Sequence, residues 1–147
     1  MTISYFDSSF LLSILLNESH AKDALSVWES SPIKVSSVLL KFETNISIRR
    51  RYNSYGKYDK NWLETKLAGL NKYIKDVFVM AIDENLENSV SEHYEDLSKC
   101  KSLDAIHLAT ALKIGKKHDR SKIRICSFDK NMRNLAQQFG FAVNDNI

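Results

Sequence analysis

Five short apolar, β-prone segments, at residues 3–6, 33–35, 77–81, 123–126 and 141–143, alternate with stretches whose apolar residues recur at helical spacing. This rhythm constrains the fold more than any other feature. Antiparallel neighbours can be joined by tight hairpins, whereas parallel neighbours need a crossover of a dozen or more residues, which a helix supplies. The pattern therefore points to an α/β fold with an open, mostly parallel five-stranded sheet and right-handed crossovers.

The opening unit reads strand, Asp7, helix, with Ser8 and Ser9 as caps and apolar residues from Phe10 onward. Ala21, Ala24, Leu25 and Trp28 mark a second helix that Pro32 stops. Ser36 and Ser37 offer a cap to a third, where Leu39, Phe42, Ile46 and Arg50 follow at helical spacing and Glu43 falls on nearly the same face as Leu39. Residues 52–58, with Gly56, read as a loop, and Trp62, Leu63, Lys66, Leu67, Leu70 and Ile74 as an amphipathic helix. Residues 84–98 read as one polar helix. Residues 102–112 form a small-residue helix with Ser102 as its cap, and its alanines imply close packing on the sheet. The last helix, 131–139, ends at Gly140.

At 147 residues the chain is long enough for one domain, 1–147, that needs neither a disulfide nor a structural metal. The N-terminus lacks a basic leader, and the apolar stretch 10–16 is too short to span a bilayer, so a cytoplasmic protein with no membrane partner is expected. Cys100 and Cys126 form no CxxC pair and are expected to be reduced and unreactive. Net charge is only +3, but it is unevenly placed. Arg49, Arg50, Arg51, Lys57 and Lys60 form one basic cluster, a second runs from Lys113 to Arg124, and residues 83–96 carry acids alone. Such runs solvate helix faces or hold a polyanion.

In an open parallel sheet, ligands bind outside the carboxyl ends of the strands, where Asp7 and Asp129 fall; Glu43 and Asp104 are expected in the first turns of helices. If those helices start at the same sheet edge, four carboxylates converge. Like charges so confined raise one another's pKa unless a cation neutralises them. Oxygen donors without Cys or paired His select Mg²⁺ or Mn²⁺ over zinc. The chemistry that fits is phosphodiester hydrolysis by a metal-activated water, with the basic segments holding the nucleic-acid backbone. Taken singly, each acid has a structural alternative: Asp7 as a turn residue, Asp104 as a helix-dipole acid, Asp129 as a cap, Glu43 as an edge residue reaching water.

Four segments carry a further signal in this order: Tyr5-Phe6-Asp7-Ser8-Ser9; Ser36-Ser37-Val38-Leu39-Leu40-Lys41-Phe42-Glu43; Leu103-Asp104-Ala105-Ile106-His107-Leu108-Ala109-Thr110-Ala111; and Cys126-Ser127-Phe128-Asp129. With them the chain resembles the PIN-domain ribonucleases, and within these the VapC-type toxins of toxin–antitoxin pairs. The resemblance implies a three-layer α/β/α fold, and Asp7, Glu43, Asp104 and Asp129 as the catalytic acids that bind Mg²⁺ or Mn²⁺. It also implies support from Ser127 and Ser9, a homodimer, an RNA substrate and an antitoxin whose C-terminal segment fills the groove. Met132 departs mildly from the family, which more often has Phe or Leu there. Arg49, Arg50, Arg51 and Lys57 are candidate RNA contacts, and Tyr52, Tyr55 and Tyr58 candidate base-stacking residues. His107 is read as a packed or hydrogen-bonded helix histidine, outside the catalytic set. The rival readings are a noncatalytic RNA- or protein-binding domain and a housekeeping RNA-processing nuclease.

Overall fold

The computed structural model describes residues 2–145. Among them, β1 (Ile3–Phe6), β2 (Ile33–Ser37), β3 (Phe78–Met80), β4 (Ile123–Cys126) and β5 (Ala142–Val143) form one sheet in the order β3-β2-β1-β4-β5. Every ladder is parallel. The helices are α1 (Ser8–Leu15), α2 (Ala21–Ser30), α3 (Leu39–Tyr55), α4 (Lys60–Ile74), α5 (Glu84–Ser91), α6 (Tyr94–Leu97), α7 (Ser102–Gly115) and α8 (Lys130–Gln138).

Strand alternation divides them into two layers. Ile3, Tyr5, Ile123 and Ile125 face one side and pack with Leu86, Leu97, Leu108, Leu112, Met132 and Leu135 from α5 to α8. Phe6 and Cys126 face the other, with Phe10, Leu15, Trp28, Leu40, Ile48 and Leu70 from α1 to α4. The result is the expected three-layer α/β/α arrangement, and Met132 is simply buried core. β1 is buried along its whole length, as the central strand of such a sandwich must be. The chain fills β2 and β3 on one side of β1, then crosses back to β4 and β5. Strand order thus reverses between β1 and β4, the switch point at which a crevice opens beyond the strand ends.

Several local expectations are corrected. Asp7, with extended backbone, caps α1 by accepting from the Phe10 N–H at 3.1 Å, and Ser8 and Ser9 are already helical. Ser36 and Ser37 belong to β2; the Ser37 hydroxyl accepts from the Leu39 N–H at 3.1 Å from the strand's end. Helix α3 continues through residues 52–55 and stops at Gly56, whose φ of +61° suits glycine. Leu39 is buried as expected, but the inward face continues through Leu40, Thr44 and Ile48, whereas Phe42 and Ile46 are 55% and 54% exposed. Both sets have i, i+4 spacing, so periodicity alone could not choose between them. The polar stretch 84–98 splits into α5 and α6 because His93 leaves helical geometry and its ring takes the Ser89 carbonyl at 2.9 Å. Ser102 opens α7 without capping it; Lys101 is the boundary residue and makes no side-chain cap bond.

Candidate active site

Asp7 follows β1 and Asp129 follows β4, and these strands are paired with Phe6 opposite Cys126, so both acids stand at the same sheet edge. Asp7 is buried. Its Oδ1 accepts from the Ser9 hydroxyl at 2.7 Å and the Phe10 N–H, and its Oδ2 accepts from the Ser127 hydroxyl at 2.5 Å. Burial pushes the Asp7 carboxyl above the usual carboxylate range, opposed by the bonds from Ser127 and Ser9, by the charge of His107 and by the Phe10 N–H. Ser127 also accepts from the Asp129 N–H at 3.0 Å, and Ser9 from the Phe128 N–H at 3.1 Å. The two serines therefore tie the end of β4 to the end of β1. Asp129 Oδ1 caps α8 through the Met132 N–H at 2.8 Å.

Asp104 sits in the first turn of α7. Its carboxyl is pushed up to about 6, first by burial and then by the negative charges of Asp129 and Asp7; His107 pulls the other way, and Glu43 adds a smaller push. Asp104 thus senses acids from three other segments of the chain. Glu43 lies one turn further into its helix than expected, as the fifth residue of α3, and its Oε1 meets His107 Nε2 at 2.6 Å.

Two neighbours of the acids lie outside the expected catalytic and supporting set. His107, fully buried on α7, bridges Glu43 to the Tyr5 hydroxyl, which lies 2.7 Å from Nδ1. Asn144, buried just past β5, accepts from the Ser127 N–H at 2.9 Å and so fixes the loop that presents Ser127. The partners in both contacts are remote in sequence, so local pattern does not reveal them.

The donors suit a hard cation: carboxylate oxygens dominate, and the charges of Asp129 and Asp7, which add to burial in raising the Asp104 carboxyl, are ones a cation would relieve. Among the described residues, however, no group of three or more His, Cys, Asp or Glu side chains is already arranged to hold a metal ion. The chemistry of the acids fits a divalent metal, and their side chains would have to close around it.

The basic candidates lie further along α3, with Arg50 roughly 10 Å from Glu43 along the axis at 1.5 Å per residue. Arg49 and Arg50 line a surface pocket of about 430 Å³ with Ile46, Asn53 and Ser54. Arg49 also bonds the Asn45 side chain at 2.7 Å, and Arg51 lies 3.9 Å from Glu18. Lys57 sits 5.3 Å from the Tyr58 ring centre, and Tyr58 stacks on Trp62 with ring centres 4.0 Å apart. One face of Tyr58 is therefore taken, Tyr52 is partly buried, and the Tyr55 side chain lies outside the described residues.

A family model for the PIN domain matches residues 4–138. Ribonuclease VapC45 of Mycobacterium tuberculosis (strain CDC 1551 / Oshkosh) is 25% identical over 118 residues, 78% of each chain. Among solved structures, VapC20 of Mycobacterium tuberculosis, described as a sarcin-ricin loop cleaving toxin, superposes with a TM-score of 0.63 at 18% identity, covering 95% of this chain and 96% of its own. VapBC2 of Rickettsia felis, bound to a DNA fragment from its promoter, superposes with a TM-score of 0.66 at 8% identity, covering 97% and 98%. At such identities the two structures speak to the fold alone.

Proposed function

The chain belongs to the PIN-domain family, and from that premise we propose that it is a single-domain, Mg²⁺- or Mn²⁺-dependent endoribonuclease, the cytoplasmic toxin of a toxin–antitoxin pair. The observation that carries this reading is that Asp7 and Asp129 follow adjacent parallel strands at the switch point of the sheet, and that both, with Glu43, bear on the partly buried Asp104 carboxyl. An anionic crevice repels a polyanion, so a binding module gains nothing from it, whereas a nuclease uses it to concentrate divalent cation where a phosphate must sit.

In this reading the four acids hold the ion, which when bound supplies a water of lowered pKa and charge to stabilise the phosphate. Asp7 is kept in place by the hydroxyls of Ser127 and Ser9 and by the Phe10 N–H. Asp129 is held at the rim by capping α8. Arg49, Arg50, Arg51 and Lys57 hold the RNA backbone outside the crevice, where phosphate contacts set register without reading sequence. The exposed Phe42 and Ile46 beside Glu43 suit burial by a protein partner, either the antitoxin or a second copy in a homodimer.

The rival is a noncatalytic RNA- or protein-binding domain, favoured by the lack of a ready-made ligand cluster among the described residues. Purified protein incubated with end-labelled total RNA and Mg²⁺ or Mn²⁺ separates the two. Cleavage that vanishes with EDTA and in Asp7→Asn is the expected result; identical RNA patterns from wild type and variant, with bound antitoxin excluded, would overturn the nuclease reading. An antitoxin gene beside this one distinguishes a toxin from a housekeeping nuclease.

A further inference from the structure

His107 is the one fully buried imidazole among the described residues, and both of its ring nitrogens are engaged. Nε2 lies 2.6 Å from Glu43 Oε1, and Nδ1 lies 2.7 Å from the Tyr5 hydroxyl. The Tyr5 and His107 rings meet edge-on, with centres 5.7 Å apart and planes at 80°. The contact reaches across layers. Glu43 comes from α3 on one face of the sheet, His107 from α7 on the other, and Tyr5 from the central strand.

A carboxylate accepts hydrogen bonds and has none to donate, so the hydrogen between His107 and Glu43 resides on Nε2. The hydroxyl at Nδ1 can donate to a bare nitrogen or accept from a protonated one, so it satisfies the ring in either form. Burial holds the Tyr5 phenol far above its ordinary range, which keeps that hydroxyl intact at any working pH. The imidazole is therefore held from both sides. Glu43, by contrast, has three rotatable torsions, and its side chain keeps 19% of its accessibility, enough to swing toward water.

Resting on the nuclease reading above, we propose that His107 is a positioning residue. It latches Glu43 Oε1 from the far side of the sheet so that Oε2, for which the described residues provide no partner, faces the crevice for a divalent cation. The histidine does not itself touch metal or RNA. The logic is that of hydrogen-bonded carboxylate ligands in metal sites generally, where loss of the outer partner costs roughly 10–100-fold in metal affinity. A purely structural histidine would affect the melting temperature and leave the affinity of the folded protein alone.

The test is calorimetric titration of the intact protein with Mn²⁺ alone, run beside thermal melts. His107→Leu and His107→Asn both remove the donor toward Glu43, and either one that folds suffices. His107→Gln extends an amide N–H toward the place of Nε2. The expected result is Mn²⁺ affinity weakened about 10–100-fold in the Leu or Asn variant and largely restored in the Gln variant. Wild-type affinity in a folded Leu or Asn variant would overturn the proposal, as would a folded Gln variant as weak as they are. Absence of Mn²⁺ binding by the wild type is a different failure, since it removes the metal reading itself and the proposal with it.

Discussion

Asp104→Asn is expected to stabilise the metal-free protein at neutral pH while abolishing its response to Mn²⁺. The Asp104 carboxyl titrates near 6 in the fold rather than at 3.8, mainly because of burial and the charges of Asp129 and Asp7. A carboxyl raised in this way binds its proton more tightly folded than unfolded. Its contribution to stability is fully present below about pH 4 and is lost as pH rises through about 6. At about 1.4 kcal/mol per pH unit the loss has a ceiling of about 3 kcal/mol. Asp104 is only partly buried, so water screens the effect, and the α7 N-terminal dipole opposes it; a net value of about 1 kcal/mol is expected. Asparagine never ionises and avoids the loss, so in EDTA at pH 7.5 the variant should melt about 2–4 °C above wild type. At pH 4 the two should converge. Adding Mn²⁺ at about a hundred times its dissociation constant should stabilise wild type by about 2.7 kcal/mol and leave the variant behind, reversing the order. A variant that melts no higher than wild type at pH 7.5 in EDTA, or equally higher at pH 4, would refute the electrostatic account of the crevice.

Ser127→Ala removes the hydroxyl that bonds the buried Asp7 carboxylate and the Asp129 N–H. Urea denaturation at pH 7.5 should show a loss of about 1.5–3 kcal/mol, and a loss below 0.5 kcal/mol would mean that water replaces the hydroxyl without penalty. Cys126 is fully buried with its thiol pushed up to about 12 by burial, and Cys100 is pushed up to about 11. An aromatic disulfide reagent at pH 8 should leave Cys126 unlabelled until the chain is unfolded; rapid native labelling would show that the sheet opens there. If Arg50 holds a phosphate, Arg50→Ala should weaken single-stranded RNA binding uniformly across sequences and reduce the slope of log affinity against log salt by about 0.7. An unchanged slope would place the RNA elsewhere.

The sheet was legible because each strand segment is short, apolar and separated from the next by helical periodicity, a signal that depends only on neighbouring residues. The strand order β3-β2-β1-β4-β5 is a different kind of fact. It is set by which crossovers bury the most apolar surface, and the crevice between β1 and β4 exists only because of it. Of the site, Asp7 and Asp129 could be placed from local context, since each falls where a strand gives way to a helix, although the α1 cap is Asp7 itself rather than Ser8 or Ser9. Glu43 could not, because α3 offers two faces of equal helical spacing, and only packing decides that Leu40, Thr44 and Ile48 turn inward. His107 was least legible of all: in sequence it is one polar residue among Ile106, Leu108 and Ala109, and it reads as a packed or hydrogen-bonded helix histidine. Its partners Tyr5 and Glu43 come from a strand and a helix that meet α7 only once the whole sheet has assembled. What local sequence hides is therefore the set of groups that orient the acids. Helix α7 supplies both Asp104 and, one turn later, the latch on Glu43, so a shift of that single helix would displace two of the four acids together.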